Sequence, residues 1–152
     1  MRVLLLSVLL ALPGCTTNPV SGDSELLLMS EQTEQRLGDE AARQVEAQLG
    51  FVDDEELTSY VEALGKRLAS YSPRQDVEYS FHVVDSKAIT AFALPGGHVA
   101  VTTGMLDGFL ESEAELAVIL GHEMAHVDRR HCIERYQYIL TLDRVEIGRA
   151  HV

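Results

Sequence analysis

The stretch that most constrains this 152-residue chain runs from Ser112 to Val127. Ser112 stands where a helix N-cap belongs, and Glu115 three residues later completes the capping-box pattern that fixes a helix start. Leu116, Ile119, Leu120, Met124 and Val127 then recur at helical spacing and give that helix one apolar stripe. The same helix carries His122, Glu123 and His126 in the order H-E-x-x-H. A separation of four residues puts the two imidazoles about one turn apart on one face, near enough to share a single ion at roughly 2.0–2.1 Å. Glu123 points about 100° round the helix from His122, so its carboxylate meets water at that ion without ligating it. A shuffled chain of this composition contains the five-residue pattern in about 2% of cases, so the helical context carries most of the specificity.

The chemistry follows from charge. A Zn²⁺ ion lowers the pKa of water it holds to about 7 and polarises a carbonyl oxygen. A carboxylate beside it takes the proton from that water and returns it to a leaving amine. The motif therefore points to peptide hydrolysis, with Glu123 catalytic, His122 and His126 as metal ligands and one Zn²⁺ per chain as cofactor.

The formal charge of −12 repels phosphate backbones and no basic cluster interrupts it, so nucleic acid is excluded as a partner. An apolar fraction of 46% is too high for a disordered chain. At the amino terminus, Arg2 precedes the apolar run Val3 to Leu12. That run suits a secretory signal and is too short for a membrane span, which needs roughly 20 residues. Leu12, Pro13, Gly14 and Cys15 resemble the lipobox of bacterial lipoproteins, which implies a signal peptide over 1–14 and a lipid anchor to the membrane on Cys15. Thr16 in place of Asp after the cysteine implies the outer membrane, with the domain on its periplasmic face. Cys132 then has no disulfide partner and reads as a small buried hydrophobe.

Residues 15–30 form a polar tether, and a domain follows over 31–145. A first helix is capped by Ser30 and stops at Gly50, with a weak face at Leu37, Ala41, Val45 and Leu49. A second starts at Asp53 and Asp54, buries Leu57, Val61, Leu64 and Leu68, and ends near Tyr71 because Pro73 follows. Val77 to Val84 alternates as a half-buried strand; Ala88 to Leu94 is short and apolar; Pro95, Gly96 and Gly97 break the chain. His98 to Thr103 is another strand, which Gly104 ends. The fold class is α+β: helices, a small mixed sheet and the histidine-bearing helix.

Phe81 to Asp85, Ala91 to Gly97, Val101, Thr102, Gly104 and Glu113 to His131, in that order, resemble the bacterial lipoprotein branch of the CAAX prenyl protease and HtpX type zinc metallopeptidases, which are gluzincins. The resemblance implies a zincin-like fold in which His122, Glu123 and His126 are the metal and catalytic residues. It implies a sheet-edge strand beside the metal, assigned to His98, Val99, Ala100 and Val101, that pairs with extended substrate. It further implies a third zinc ligand, a Glu on a later helix beyond the chain end. Glu134, on the same helix as His126, lies about 12 Å along its axis and is too far to serve. His98 and His82 read as exposed strand histidines, and His131 as a polar residue late in the helix.

Residues 147–152 back-translate to a common sequencing adapter, so 146–152 is expected to be a non-native tail and the domain to be cut short. The function expected is a zinc endopeptidase that hydrolyses unfolded or misassembled envelope proteins. With two histidines alone this chain is expected to bind zinc weakly and to cleave little. The alternative is a non-catalytic, chaperone-like lipoprotein that holds clients along its edge strand and needs no zinc.

Overall fold

A computed structural model describes residues 29–135 together with the backbone of Thr16–Thr17 and Ser24–Glu25. The signal segment, Cys15 and the tail 146–152 lie outside the described residues. Within the tether, β1 (Thr16–Thr17) pairs antiparallel with β2 (Ser24–Glu25). Helices α1 (Glu31–Leu49) and α2 (Glu55–Ala69) start where their caps require, the Ser30 and Asp54 side chains accepting from the Thr33 and Leu57 amides. Strands β3 (Ser80–Val84), β4 (Ala91–Ala93) and β5 (His98–Thr102) form a mixed sheet of order β3-β5-β4. The short helix α3 (Thr103–Gly108) and the long α4 (Glu113–Asp128) follow. Among the described residues no helix is long and apolar enough to cross a membrane.

Strand β3 begins three residues later than its alternation predicts, because Val77 is held in a turn, donating to the Arg74 carbonyl at 3.3 Å. Gly104 does not simply end a strand. The Thr102 hydroxyl accepts from the Met105 amide at 3.2 Å and starts α3, while Gly104 sits so close to the Lys87 carbonyl that a Cβ would lie 2.4 Å from it.

Parallel pairing sets Phe81 beside Val99 and Val83 beside Val101, so these four share one face of the sheet. They pack with Val61 and Leu64 of α2 and with Leu116, Leu120, Met124 and Val127 of α4. Each such side chain contributes roughly 1.5–3 kcal/mol by leaving water. The same register sends Ser80, His82 and His98 to the opposite face, where α1 lies.

The expected edge strand is corrected here. His98, Val99, Ala100 and Val101 belong to the central strand, parallel to β3 on one side and antiparallel to β4 on the other. Their main-chain groups are committed to neighbours and cannot receive an added chain. The cause is the reversal at Pro95–Gly97, where Gly96 (φ 72°) and Gly97 (φ 93°) adopt left-handed backbone and fold β4 back along β5. Among the described residues β4 is an outer strand with no strand beyond it, whereas the β3 side is bridged by Phe51 at Val84. Leu94 donates to the His98 carbonyl at 2.8 Å and Thr102 to the Thr90 carbonyl at 3.1 Å, so residues 90, 92 and 94 face β5. Antiparallel alternation then turns the main-chain groups of Ala91 and Ala93 outward.

The buried face of α1 is also displaced from the apolar stripe. Leu49 is exposed, and the buried residues are Glu34, Gly38 and Ala42. Gly38 lets the helix backbone reach Pro95, whose carbonyl oxygen would stand 1.9 Å from a Cβ at that position. Glu34 receives the Arg74 guanidinium at 3.0 Å, with both side chains about 95% or more out of water. Arg74 also donates to the Val127 carbonyl at 3.3 Å, which accepts from the Arg130 amide as well at 2.9 Å, and so ties the end of α4 to α1.

His98 is mostly buried, in contrast to the exposed residue expected. Its Nε2 meets Asp39 of α1 at 3.0 Å, and its Nδ1 lies 2.7 Å from the Ser80 hydroxyl and 3.2 Å from His82 Nε2. Phe51 stacks on His82 with ring centroids 4.5 Å apart. Burial, and then the neighbouring His98, hold His82 below the ordinary histidine value against the pull of Glu62 and Glu46. The hydrogen bond from His98, then that from Gln35, holds the Asp39 carboxyl low.

Two predictions follow from this packing. Arg74→Leu, which leaves Glu34 with only Arg130 at 3.6 Å, lowers unfolding stability by about 3 kcal/mol in urea titration, whereas Glu34→Leu combined with Arg74→Leu recovers most of the loss. The second concerns pH. The unfolded chain takes up a proton at His82 near pH 6.5 and the folded chain only below that, so stability falls as pH drops through about 6.5. Asp39 adds a loss at lower pH, as acid falls through its depressed folded value. In His82→Phe the unfolding midpoint varies less between pH 7 and 5; an unchanged slope refutes the assignment.

Candidate metal centre

Helix α4 starts as the capping box predicts, the Ser112 hydroxyl accepting from the Glu115 amide at 3.3 Å. The reciprocal arm reaches one residue further back than expected, Glu115 Oε2 accepting from the Glu111 amide at 2.6 Å. Leu116, Leu120, Met124 and Val127 are buried, and the opposite side of the helix carries the motif.

His122 and His126 are brought together there. Their Nε2 atoms lie 3.3 Å apart, with the rings nearly perpendicular at 85°. Two imidazole nitrogens bound tetrahedrally to one ion at about 2.0–2.1 Å are separated by about 3.3–3.4 Å. The spacing of the donor pair therefore fits a shared metal ion. Among the described residues no group of three or more His, Cys, Asp or Glu side chains could hold a metal, so no third ligand accompanies the pair there.

Glu123 and His126 line a cleft of about 300 Å³ whose other wall is Phe92 and Ala93 of the outer strand β4. The arrangement sets the Glu123 carboxylate, the His126 and His131 rings and the β4 backbone around one space, with His122 at its margin on the helix turn before His126. Cys132 closes the floor, its thiol donating to the Ala93 carbonyl at 3.4 Å. Burial, and then the nearby Glu123 carboxylate, push that thiol above its ordinary value, so it stands there as a neutral donor.

The end of α4 departs from the sequence expectation. The helix does not continue through Glu134; it stops at Asp128, and Arg130 takes a left-handed backbone with φ 55°. Asp128 is buried and accepts from the Ser72 and Tyr79 hydroxyls, each at 2.6 Å. A new helical turn over 131–135 begins beyond the break, with Ile133 buried in the core. As a result His131, read from sequence as a bland polar residue, returns to the site: its Nδ1 is 2.8 Å from Nδ1 of His126. No glycine or asparagine marks the left-handed position, so the sequence offers no local signal for the break. His98 and His82, by contrast, belong to the α1 side of the sheet, where their hydrogen-bond partners are Ser80, Asp39 and each other.

Comparison with known proteins agrees with this geometry. The Peptidase family M48 profile matches residues 55–147. A beta-barrel assembly-enhancing protease of Yersinia pestis is 33% identical over 120 residues, covering 79% of this chain and 24% of that protein. The protein of the same name from Escherichia coli K12 is 31% identical over 115 residues, 76% of this chain and 23% of its own length. The mitochondrial metalloendopeptidase OMA1 of Schizosaccharomyces pombe is 31% identical over 123 residues, 79% of this chain and 36% of its own. The chain thus spans about a quarter of the bacterial relatives and about a third of the yeast one. With the motif helix, the mixed sheet and a family match over more than half its length, the chain belongs to peptidase family M48.

Proposed function

We propose that this chain is the zinc-binding portion of a gluzincin endopeptidase of the bacterial cell envelope, of the CAAX prenyl protease and HtpX type. One observation carries the reading: the Nε2 atoms of His122 and His126 lie 3.3 Å apart, and His126 and Glu123 line a cleft whose other wall is β4. When bound there, a zinc ion supplies a Lewis acid and brings the pKa of water at the site to about 7. His122 and His126 hold the ion through Nε2, and the third protein ligand is a Glu outside the described residues. The outward amides of Ala91 and Ala93, whose carbonyls already accept from the Thr90 hydroxyl and the Cys132 thiol, take an extended peptide as an added strand, the role first expected of His98 to Val101. Glu123 accepts the proton of the attacking water and returns it to the leaving amine as the peptide bond breaks.

Unfolded or misassembled envelope proteins are the proposed substrates, and the names of the bacterial relatives, beta-barrel assembly-enhancing proteases, support that class. Lipid on Cys15 anchors the domain at the periplasmic face of the outer membrane.

The test is made on the protein completed by the third ligand, with an unfolded outer-membrane β-barrel as substrate. Glu123→Gln lowers kcat by about 10²–10⁴-fold with zinc content unchanged, and His122→Ala with His126→Ala removes both zinc and activity. Cleavage by the Gln variant at the parent rate overturns the role of Glu123. A protein that binds the β-barrel client without zinc is a holding module instead.

A further inference from the structure

We infer that His131 is a positioning residue for the metal site, fixing the proton on Nδ1 of His126 so that Nε2 is presented to the ion. The inference rests on the zinc reading above and adds to it a residue that the H-E-x-x-H motif does not contain. A neutral imidazole carries one N–H, and His126 directs Nε2 at His122 Nε2, 3.3 Å away. For that atom to offer a lone pair to a cation, the ring proton must sit on Nδ1. A proton there needs an acceptor, and the group at hydrogen-bond distance is Nδ1 of His131, at 2.8 Å. His131 therefore accepts at Nδ1 and carries its own proton on Nε2. The bond sets the plane of the His126 ring and strengthens its donor nitrogen, as partners of metal-bound histidines do.

The backbone is built to make this contact. Were α4 unbroken, His131 would stand five residues beyond His126, about 140° away around the helix, and could not reach it. The break at Arg130, with φ 55°, redirects the chain. Three attachments hold the redirected segment: Arg130 to Glu31 at 3.4 Å and to Glu34 at 3.6 Å, the buried Ile133, and the Cys132 thiol on the Ala93 carbonyl. The left-handed residue and its clamps thus place His131 against the back of a metal ligand.

The experiment uses the protein completed by the third ligand, zinc alone as the probe, and two readouts. Long-range ¹H–¹⁵N correlation of the histidine rings reports the tautomers with and without zinc, and competition with a chromophoric chelator gives zinc affinity. In the parent, His126 carries its proton on Nδ1 and His131 on Nε2. His131→Phe, which keeps a ring but no acceptor, weakens zinc binding by about 10–100-fold, and His131→Asn, whose side-chain oxygen accepts, restores part of it. Parent-like zinc affinity in the Phe variant overturns the inference, as does a His126 proton on Nε2 in the parent. Equal losses in the Phe and Asn variants also overturn it, since they mark a role in shape alone. If the parent binds no zinc the function proposed above fails, while the tautomers of the zinc-free chain still decide the role of His131.

Discussion

The Arg74 guanidinium is the interaction on which the placement of the site depends. It is buried to 3% exposure and reaches Glu34 on α1, Asp76 beside it in the chain, and the Val127 carbonyl at the end of α4. A buried cation is costly, several kcal/mol for each unpaired ion, so this group tolerates few arrangements of its partners. Satisfying it fixes the distance between α1, the loop before β3 and the last turn of α4 together. Val127 follows His126 directly, so His126 inherits its position from an electrostatic requirement on the far side of its own helix.

The end of α4 is fixed by a second balance. A non-glycine residue in left-handed backbone costs on the order of 1–2 kcal/mol. Against this stand the buried Ile133, worth roughly 1.5–3 kcal/mol, and the Cys132 thiol bond to the Ala93 carbonyl. The sum favours the break. Continuing the helix would instead lift Ile133 out of the core, a loss at least as large as the strain removed. Strain at Arg130 is thus sustained by the packing of the segment beyond it, within five residues of His126.

What could be read from the sequence was local. Ser30, Asp54 and Ser112 cap helices within a few residues of themselves, so the starts of α1, α2 and α4 were legible, and so were the H-E-x-x-H geometry and the apolar stripe of α4. The sheet order was not. The alternation of β5 is the same for a central strand as for an edge, and only pairing with β3, eighteen residues earlier, and with β4 decides between them. The face of α1 was misread for a related reason: Gly38 and Glu34 are buried by what approaches them, Pro95 and Arg74, and neither approach leaves an apolar signature on the helix itself. His131 was passed over because its position depends on the break at Arg130, which distant burial imposes.

The small residues of β4 complete the argument. Ala91 pairs with Val101 and Ala93 with Val99, so both alanine methyls share the sheet face that α4 packs against. Their size lets the helix lie close to the edge strand, which is why Glu123 and His126 share a cleft with Phe92 and Ala93. Bulkier side chains there would hold α4 away from β4 and widen the space between the carboxylate and any chain added along the edge. Alternation then points the main-chain groups of these same two residues away from β5. A single pair of alanines thus sets both the spacing of α4 and the amides that point away from β5, their carbonyls accepting from the Thr90 hydroxyl and the Cys132 thiol.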